Sequence, residues 1–60
     1  MPFVIVEMWE GRTVDQKRLL AKGITDAFVN ISVPAEAVHI VFKDNPKGNW
    51  AVGGKLASEK

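Results

Sequence analysis

Residues 2–9, Pro2-Phe3-Val4-Ile5-Val6-Glu7-Met8-Trp9, decide the fold. β-Branched and aromatic residues dominate the stretch, and such side chains pack well on a pleated surface. Val4, Val6 and Met8 fall on one face, and Phe3, Ile5 and Trp9 on the other. A strand that is apolar on both faces is one that is covered on both faces. The chain has only 60 residues to do the covering. A chain that short buries about 60% of its unfolded surface and usually leans on disulfides, metal or oligomerisation. There is no cysteine and a single histidine. That excludes disulfides and argues against a structural zinc held by one chain. A homo-oligomer is therefore the expectation.

Glu10-Gly11-Arg12 reads as the turn that follows. Thr13 is then a good N-cap, and Gln16 three residues later completes a capping box. Asp15 suits the positive end of the helix. Leu20, Ile24, Ala27, Phe28 and Ile31 form one helical stripe, with Lys17, Arg18, Lys22 and Asp26 looking outward. Gly23 costs about 1 kcal/mol relative to alanine inside a helix, which a close packing contact would explain. The helix is expected to end near Asn30, ahead of Ser32-Val33-Pro34.

Ala35-Glu36-Ala37 leads to a second strand, Val38-His39-Ile40-Val41-Phe42-Lys43. Strand, helix, strand in this order implies an α/β fold: a right-handed βαβ unit with parallel strands, one domain over residues 1–60. Asp44–Asn49 reads as a polar loop, and Trp50-Ala51-Val52 as a short hairpin arm broken by Gly53-Gly54. Lys55–Lys60 reads as a helical turn or an arm reaching a neighbour. One helix covers one face of a two-stranded sheet. Covering the other face with a second subunit contributes roughly 25 cal/mol per Å².

Several function classes drop out. The net charge is +1 with histidine neutral, too little for electrostatic binding of nucleic acid or acidic lipid. The longest strongly apolar run, Phe3–Val6, is far short of the roughly 18 residues of a membrane span. No charged-then-apolar leader opens the sequence, so a cytoplasmic location is expected. Gly48 to Lys55 resembles a phosphate loop only superficially. Counting back from Gly54-Lys55, Asn49 stands at the first glycine position, and Leu56 replaces the hydroxyl residue. No internal repeat or low-complexity segment is present.

Pro2 on its own is an ordinary strand-start proline, with no donor to lose. Removal of Met1 changes its chemistry, because the ring nitrogen becomes a free secondary amine. An α-amino group titrates near about 7.7–8.0. An apolar surround from Phe3, Trp9 and Trp50, with Arg12 nearby, is expected to push that value down. A base near neutral pKa suits general acid–base chemistry.

Pro2 at the head of an apolar strand, Glu10-Gly11-Arg12, the capped helix with Asp15-Gln16-Lys17, and Pro34 before the second strand form an ordered set. Lys47-Gly48-Asn49-Trp50-Ala51-Val52-Gly53-Gly54 and Leu56-Ala57-Ser58 complete it. Together they resemble the 4-oxalocrotonate tautomerase family, over essentially the whole chain. The resemblance implies a βαβ subunit in a homohexamer, usually a trimer of dimers, acting on a small-molecule carboxylic acid without cofactor or metal. It implies Pro2 as the catalytic base and Arg12 as a carboxylate-binding arginine. Trp50 stands where the family typically has an active-site phenylalanine, and Val52 and Trp9 where pocket-wall residues are expected. His39 stands where the best-known members carry an arginine that polarises the keto oxygen and grips a carboxylate. Imidazole is a cation only when protonated, whereas guanidinium is always charged, so the exchange counts against efficient use of 4-oxalocrotonate. His39 also reads as a sheet residue at a subunit contact. The family's carboxy-terminal arginine is absent, with Lys60 as a loose substitute.

The activity implied is a keto–enol proton transfer on an unsaturated 2-hydroxy or 2-keto acid, such as 2-hydroxymuconate or phenylenolpyruvate. Two alternatives stand beside it. One is a Pro2-dependent hydratase or dehalogenase of unsaturated acids, which needs a residue to activate water; Glu7 and Glu10 are the carboxylates nearest in sequence. The other is a non-catalytic oligomeric binding protein.

Overall fold

The computed structural model describes residues 1–59; Lys60 lies outside the described residues. Strand β1 is Phe3–Trp9, helix α1 Val14–Val29, and strand β2 His39–Asn45. Short strands β3 (Ala51–Val52) and β4 (Lys55–Leu56) follow, and single 3-10 turns occupy Ala35–Ala37, Lys47–Asn49 and Ala57–Glu59. Strands β1 and β2 pair in parallel, from Phe3 opposite His39 to Trp9 opposite Asn45. Strands β3 and β4 pair as an antiparallel hairpin. Its two-residue turn, Gly53-Gly54, has φ of +62° and +83°. Such a turn matches the twist of the flanking strands, and glycine adopts it without steric cost.

The expected βαβ unit is thus present, with α1 in the crossover between parallel strands. The capping box forms in full: the Thr13 N–H donates to Gln16 Oε1 at 2.9 Å, and the Gln16 N–H donates to Thr13 Oγ1 at 3.1 Å. Replacing Thr13 with alanine is expected to cost about 1 kcal/mol. Chemical denaturation of both proteins at one fixed concentration checks this, since assembly would otherwise shift the midpoint. At the other end, Val33 N–H donates to Phe28 O and Ser32 N–H to Val29 O. This is a Schellman ending, with Ser32 at φ +73° where glycine is usual.

Two expectations about packing are corrected. The half-buried helix positions are Lys17, Ala21, Ile24, Thr25 and Phe28. Ile24 and Phe28 belong to the expected stripe, but Leu20 and Ala27 are exposed, and Ile31 is 69% exposed. The helix carries two apolar stripes that share Ile24, and only one meets the sheet. Lys17 does not look outward. Its stem covers apolar surface, as long cationic side chains do, and its Nζ meets Asp44 Oδ2 at 2.7 Å.

The second strand also runs further than expected, through Asp44 and Asn45. Long-range partners make these polar residues acceptable in a strand. Lys17 pairs with Asp44. The Asn45 carboxamide donates to Glu7 Oε1 at 2.9 Å and to the carbonyls of Met8 and Lys43 at 3.2 Å. The ends of both strands are thereby clamped together.

The register sorts the sheet into two faces. Val4, Val6, Met8, Ile40 and Phe42 are half-buried on the helix side. Phe3, Ile5, Trp9 and Val41 point the other way and stay exposed, Phe3 at 63% and Ile5 at 51%. No described residue is fully buried.

Candidate active site

A cleft of about 330 Å³ opens at the carboxyl ends of the two parallel strands, lined by Met8, Trp9, Glu10, Gly11, Arg12, Lys47 and Trp50. This end of an open α/β sheet is where ligands generally bind. The volume lies at the small end of the roughly 300–1,000 Å³ typical of ligand pockets, so it suits a small molecule.

Local sequence builds each wall. Gly11, at φ +117°, lets the chain leave β1 and turn into α1, which places Arg12 at the mouth. Trp9 ends β1, and its ring meets Trp50 edge to face, with centroids 5.8 Å apart and planes at 77°. The hairpin holds Trp50 from behind: the Ala57 N–H donates to Trp50 O at 2.8 Å. Pro46 starts the 3-10 turn that carries Lys47, and the Trp50 N–H donates to Lys47 O at 3.3 Å. Lys47 Nζ sits 5.0 Å from the centre of the Trp9 ring, within cation–π range.

Electrostatically the lining holds two cations, Arg12 and Lys47, and one carboxylate, Glu10. The recorded ion pairs engage Lys17, Arg18 and Lys22 with Asp44, Asp15 and Asp26. Arg12 and Lys47 make no ion pair among the described residues. A guanidinium without a carboxylate partner, beside two indoles, is a ready seat for a planar organic acid. A second groove of about 340 Å³ adjoins it, lined by Arg12, Gln16, Leu19 and Leu20.

The sequence-derived site residues fall into two groups. Trp9, Arg12 and Trp50 come together in the cleft. Pro2 and His39 lie at the opposite end of the sheet, where the His39 N–H donates to Pro2 O at 3.0 Å and the Phe3 and His39 rings stand 6.4 Å apart. Seven residue steps along the strand separate Pro2 from Trp9, roughly 23 Å. Within one chain, Trp9, Trp50 and Arg12 therefore do not surround Pro2, and the expected apolar pocket around its nitrogen is reduced to Phe3. Val52 lies in β3, 68% exposed and outside the cleft lining. Of the two carboxylates considered for water activation, Glu10 lines the cleft, whereas Glu7 accepts the Asn45 carboxamide. Lys47 was not singled out from the sequence. Its spacing of three from Trp50 was the available signal, because one 3-10 turn puts such residues on one side.

Among the described residues no group of three or more His, Asp or Glu could hold a metal ion. No described helix is long and apolar enough to cross a membrane.

A family model described as "Tautomerase enzyme" matches residues 2–60. The chain belongs to the tautomerase family. Curated relatives of this tautomerase include a probable tautomerase of Lactococcus lactis, 43% identical over the full length of both chains. Another is a probable tautomerase of Streptococcus pneumoniae, 42% identical over 98% of this chain and all of the relative. Solved structures agree. A 4-oxalocrotonate tautomerase isozyme from Methylibium petroleiphilum is 38% identical, with a TM-score of 0.89 over 95% of this tautomerase and 94% of that chain. A heterohexameric 4-oxalocrotonate tautomerase from Chloroflexus aurantiacus is 32% identical, with a TM-score of 0.90 over 98% and 97% of the two chains. The fold is that of the 4-oxalocrotonate tautomerases, and the family supports an isomerase activity.

Proposed function

We propose that this tautomerase catalyses keto–enol proton transfer on a small unsaturated 2-hydroxy or 2-keto acid, with Pro2 as the base after Met1 is removed. The observation that carries the reading is the family match over residues 2–60. Met1 is 89% exposed, open to an aminopeptidase.

The neutral Pro2 nitrogen takes the proton of the 2-hydroxyl. The O–H electron pair becomes the second bond of the keto group, and the enol double-bond pair shifts along the conjugated chain. The carbon that gains this pair takes the proton back from the pyrrolidinium. Nothing is gained or lost overall, and the substrate's own conjugation carries the electrons, so no cofactor is required. Arg12 holds the carboxylate with its fork. Trp9, Trp50 and Val52 keep water away from the amine. His39, a backbone N–H or a bound water stabilises charge on the keto oxygen.

The distance between Pro2 and Arg12 in one chain supports an assembly in which subunits share a site. A base at one end of the sheet and a carboxylate anchor at the other act on one small acid only when they come from different subunits. We therefore propose a homo-oligomer, a hexamer built as a trimer of dimers. The exposed outer sheet face and the exposed second helix stripe supply apolar surface for it, and the hexameric relative from Chloroflexus aurantiacus is consistent with it.

Absorbance assays with 2-hydroxymuconate and phenylenolpyruvate, run beside a haloacrylate dehalogenation assay, test this reading. Turnover of the enols is expected. Haloacrylate turnover alone would favour the hydratase or dehalogenase alternative, for which Glu10 in the cleft is the available water-activating group. Replacing Arg12 with alanine is expected to lower kcat/KM roughly 10- to 100-fold, as loss of a charge-assisted hydrogen bond does. Equal activity of the two proteins would place the carboxylate elsewhere.

A further inference from the structure

The cleft has two walls. One follows the end of β1 and carries Trp9 and Arg12; the other follows the end of β2 and carries Trp50. Asn45 sits at the seam between them, as the last residue of β2 and directly opposite Trp9. The end of a strand ladder is where local opening starts, and here the Asn45 side chain reinforces it. The carboxamide nitrogen lies 2.9 Å from Glu7 Oε1 and 3.2 Å from the carbonyls of Met8 and Lys43. Its two N–H donors are shared among these three acceptors. The Asn45 carbonyl in turn accepts the Glu10 N–H at 3.0 Å. Both peptide groups that flank Trp9 are therefore held by one residue: Met8–Trp9 through the carboxamide, Trp9–Glu10 through the carbonyl. Asparagine is a poor strand former and is half-buried here, so these bonds, and not propensity, explain its place in β2.

We infer that Asn45 is a positioning residue for acid binding: its carboxamide fixes the backbone at Trp9, and with it the Trp9–Trp50 contact and the turn that carries Arg12. The inference rests on the acid-binding part of the proposed function and adds to it a residue that lies outside the cleft lining. The path from Asn45 to the cleft is short. Trp9 meets Trp50 edge to face with centroids 5.8 Å apart, so a tilt of the Trp9 backbone shifts that contact. Only Glu10 and Gly11 lie between Trp9 and Arg12, and Gly11, at φ +117°, gives the turn no stiffness of its own. The Lys17–Asp44 ion pair ties the same strand end to the helix, but neither of its residues lines the cleft.

The test needs no turnover. The chain has two tryptophans, and they form this one contact. Closely spaced indoles at a fixed angle give an exciton couplet in circular dichroism, whose amplitude falls steeply as the pair separates or loosens. The couplet therefore reads the wall without any ligand. Binding is read separately, by titrating 3-phenylpropionate, an acid that cannot tautomerise, and following tryptophan fluorescence. Intact oligomers of the wild type, Asn45→Asp, Asn45→Leu and Lys17→Met are compared, each verified by size-exclusion chromatography. Asn45→Asp keeps the side-chain shape and removes both donors, and Asn45→Leu removes them without adding charge beside Glu7. Lys17→Met breaks the tie on the helix side. Both Asn45 variants are expected to lose most of the couplet and to bind 3-phenylpropionate roughly fivefold more weakly, the worth of one ordinary hydrogen bond. Lys17→Met is expected to be less resistant to denaturant but to keep the wild-type couplet and affinity.

An unchanged couplet or affinity in either assembled Asn45 variant would overturn the inference, because any effect in the other would then be one of charge or bulk, not of the lost donors. Equal losses in Lys17→Met would make Asn45 a general support of the strand end and overturn it too. So would a wild type that does not bind the acid. Failure of the tautomerase reading looks different: no enol turnover, with the Asn45 effects intact.

Discussion

Processed protein carrying Pro2→Ala is expected to lose roughly 10²- to 10⁴-fold in enol turnover, the usual worth of a positioned general base. The variant still presents a free amine once Met1 is gone. That amine is primary, differently basic and no longer held by a ring, so the loss reports on the base itself. The oligomer should survive, because Pro2 contributes one backbone carbonyl to the sheet, to the His39 N–H, and that carbonyl remains. Turnover is measured alongside mass spectrometry of the amino terminus. Activity should rise in proportion to the fraction lacking Met1, since acylation by Met1 turns the nitrogen into an amide without useful basicity. Unchanged turnover in the variant, or full activity in material that keeps Met1, would remove Pro2 from the mechanism.

The second large effect is expected from a residue that touches no substrate. Ile5 sits mid-strand on the outer sheet face, 51% exposed, paired opposite Val41. Full burial of one such side chain contributes about 1.5–3 kcal/mol, repeated in every subunit. Ile5→Lys replaces that gain with a charge whose burial without a partner costs several kcal/mol. Analytical ultracentrifugation is expected to find dissociated chains, and enol turnover is expected to vanish with the assembly. The roughly 23 Å between Pro2 and the cleft of the same chain is the reason activity and assembly should be lost together. A monomeric Ile5→Lys protein with wild-type turnover would show that one chain carries a complete site.

Much of this organisation was legible in the sequence because its causes are local. The two-sided apolar run at Phe3–Trp9, the Thr13–Gln16 capping box and the Gly53-Gly54 turn each specify their own backbone. What was misread depends on partners far along the chain. Asp44 and Asn45 look like loop residues until Lys17, 27 residues away, and Glu7, 38 away, take up their polar groups. The helix stripe was mis-phased because α1 has two apolar stripes, and periodicity alone does not say which one meets the sheet. At the site, Trp9, Arg12 and Trp50 line one cleft. Their remoteness from Pro2 follows from strand length. Lys47 was not placed in the cleft from the sequence because a lone lysine in a polar turn is usually solvated; the contact with the Trp9 ring becomes visible only in the fold.

No described side chain of this tautomerase is sealed inside its own chain. In the proposed oligomer a newly synthesised copy would have no private interior, and its structural integrity would be a collective property governed by mass action. At low abundance the balance would tip toward solitary copies open to proteolysis. Above a threshold abundance the copies protect one another. The gene's output level would then set not only how much enzyme is present but what fraction of each polypeptide's lifetime is spent in a competent shape.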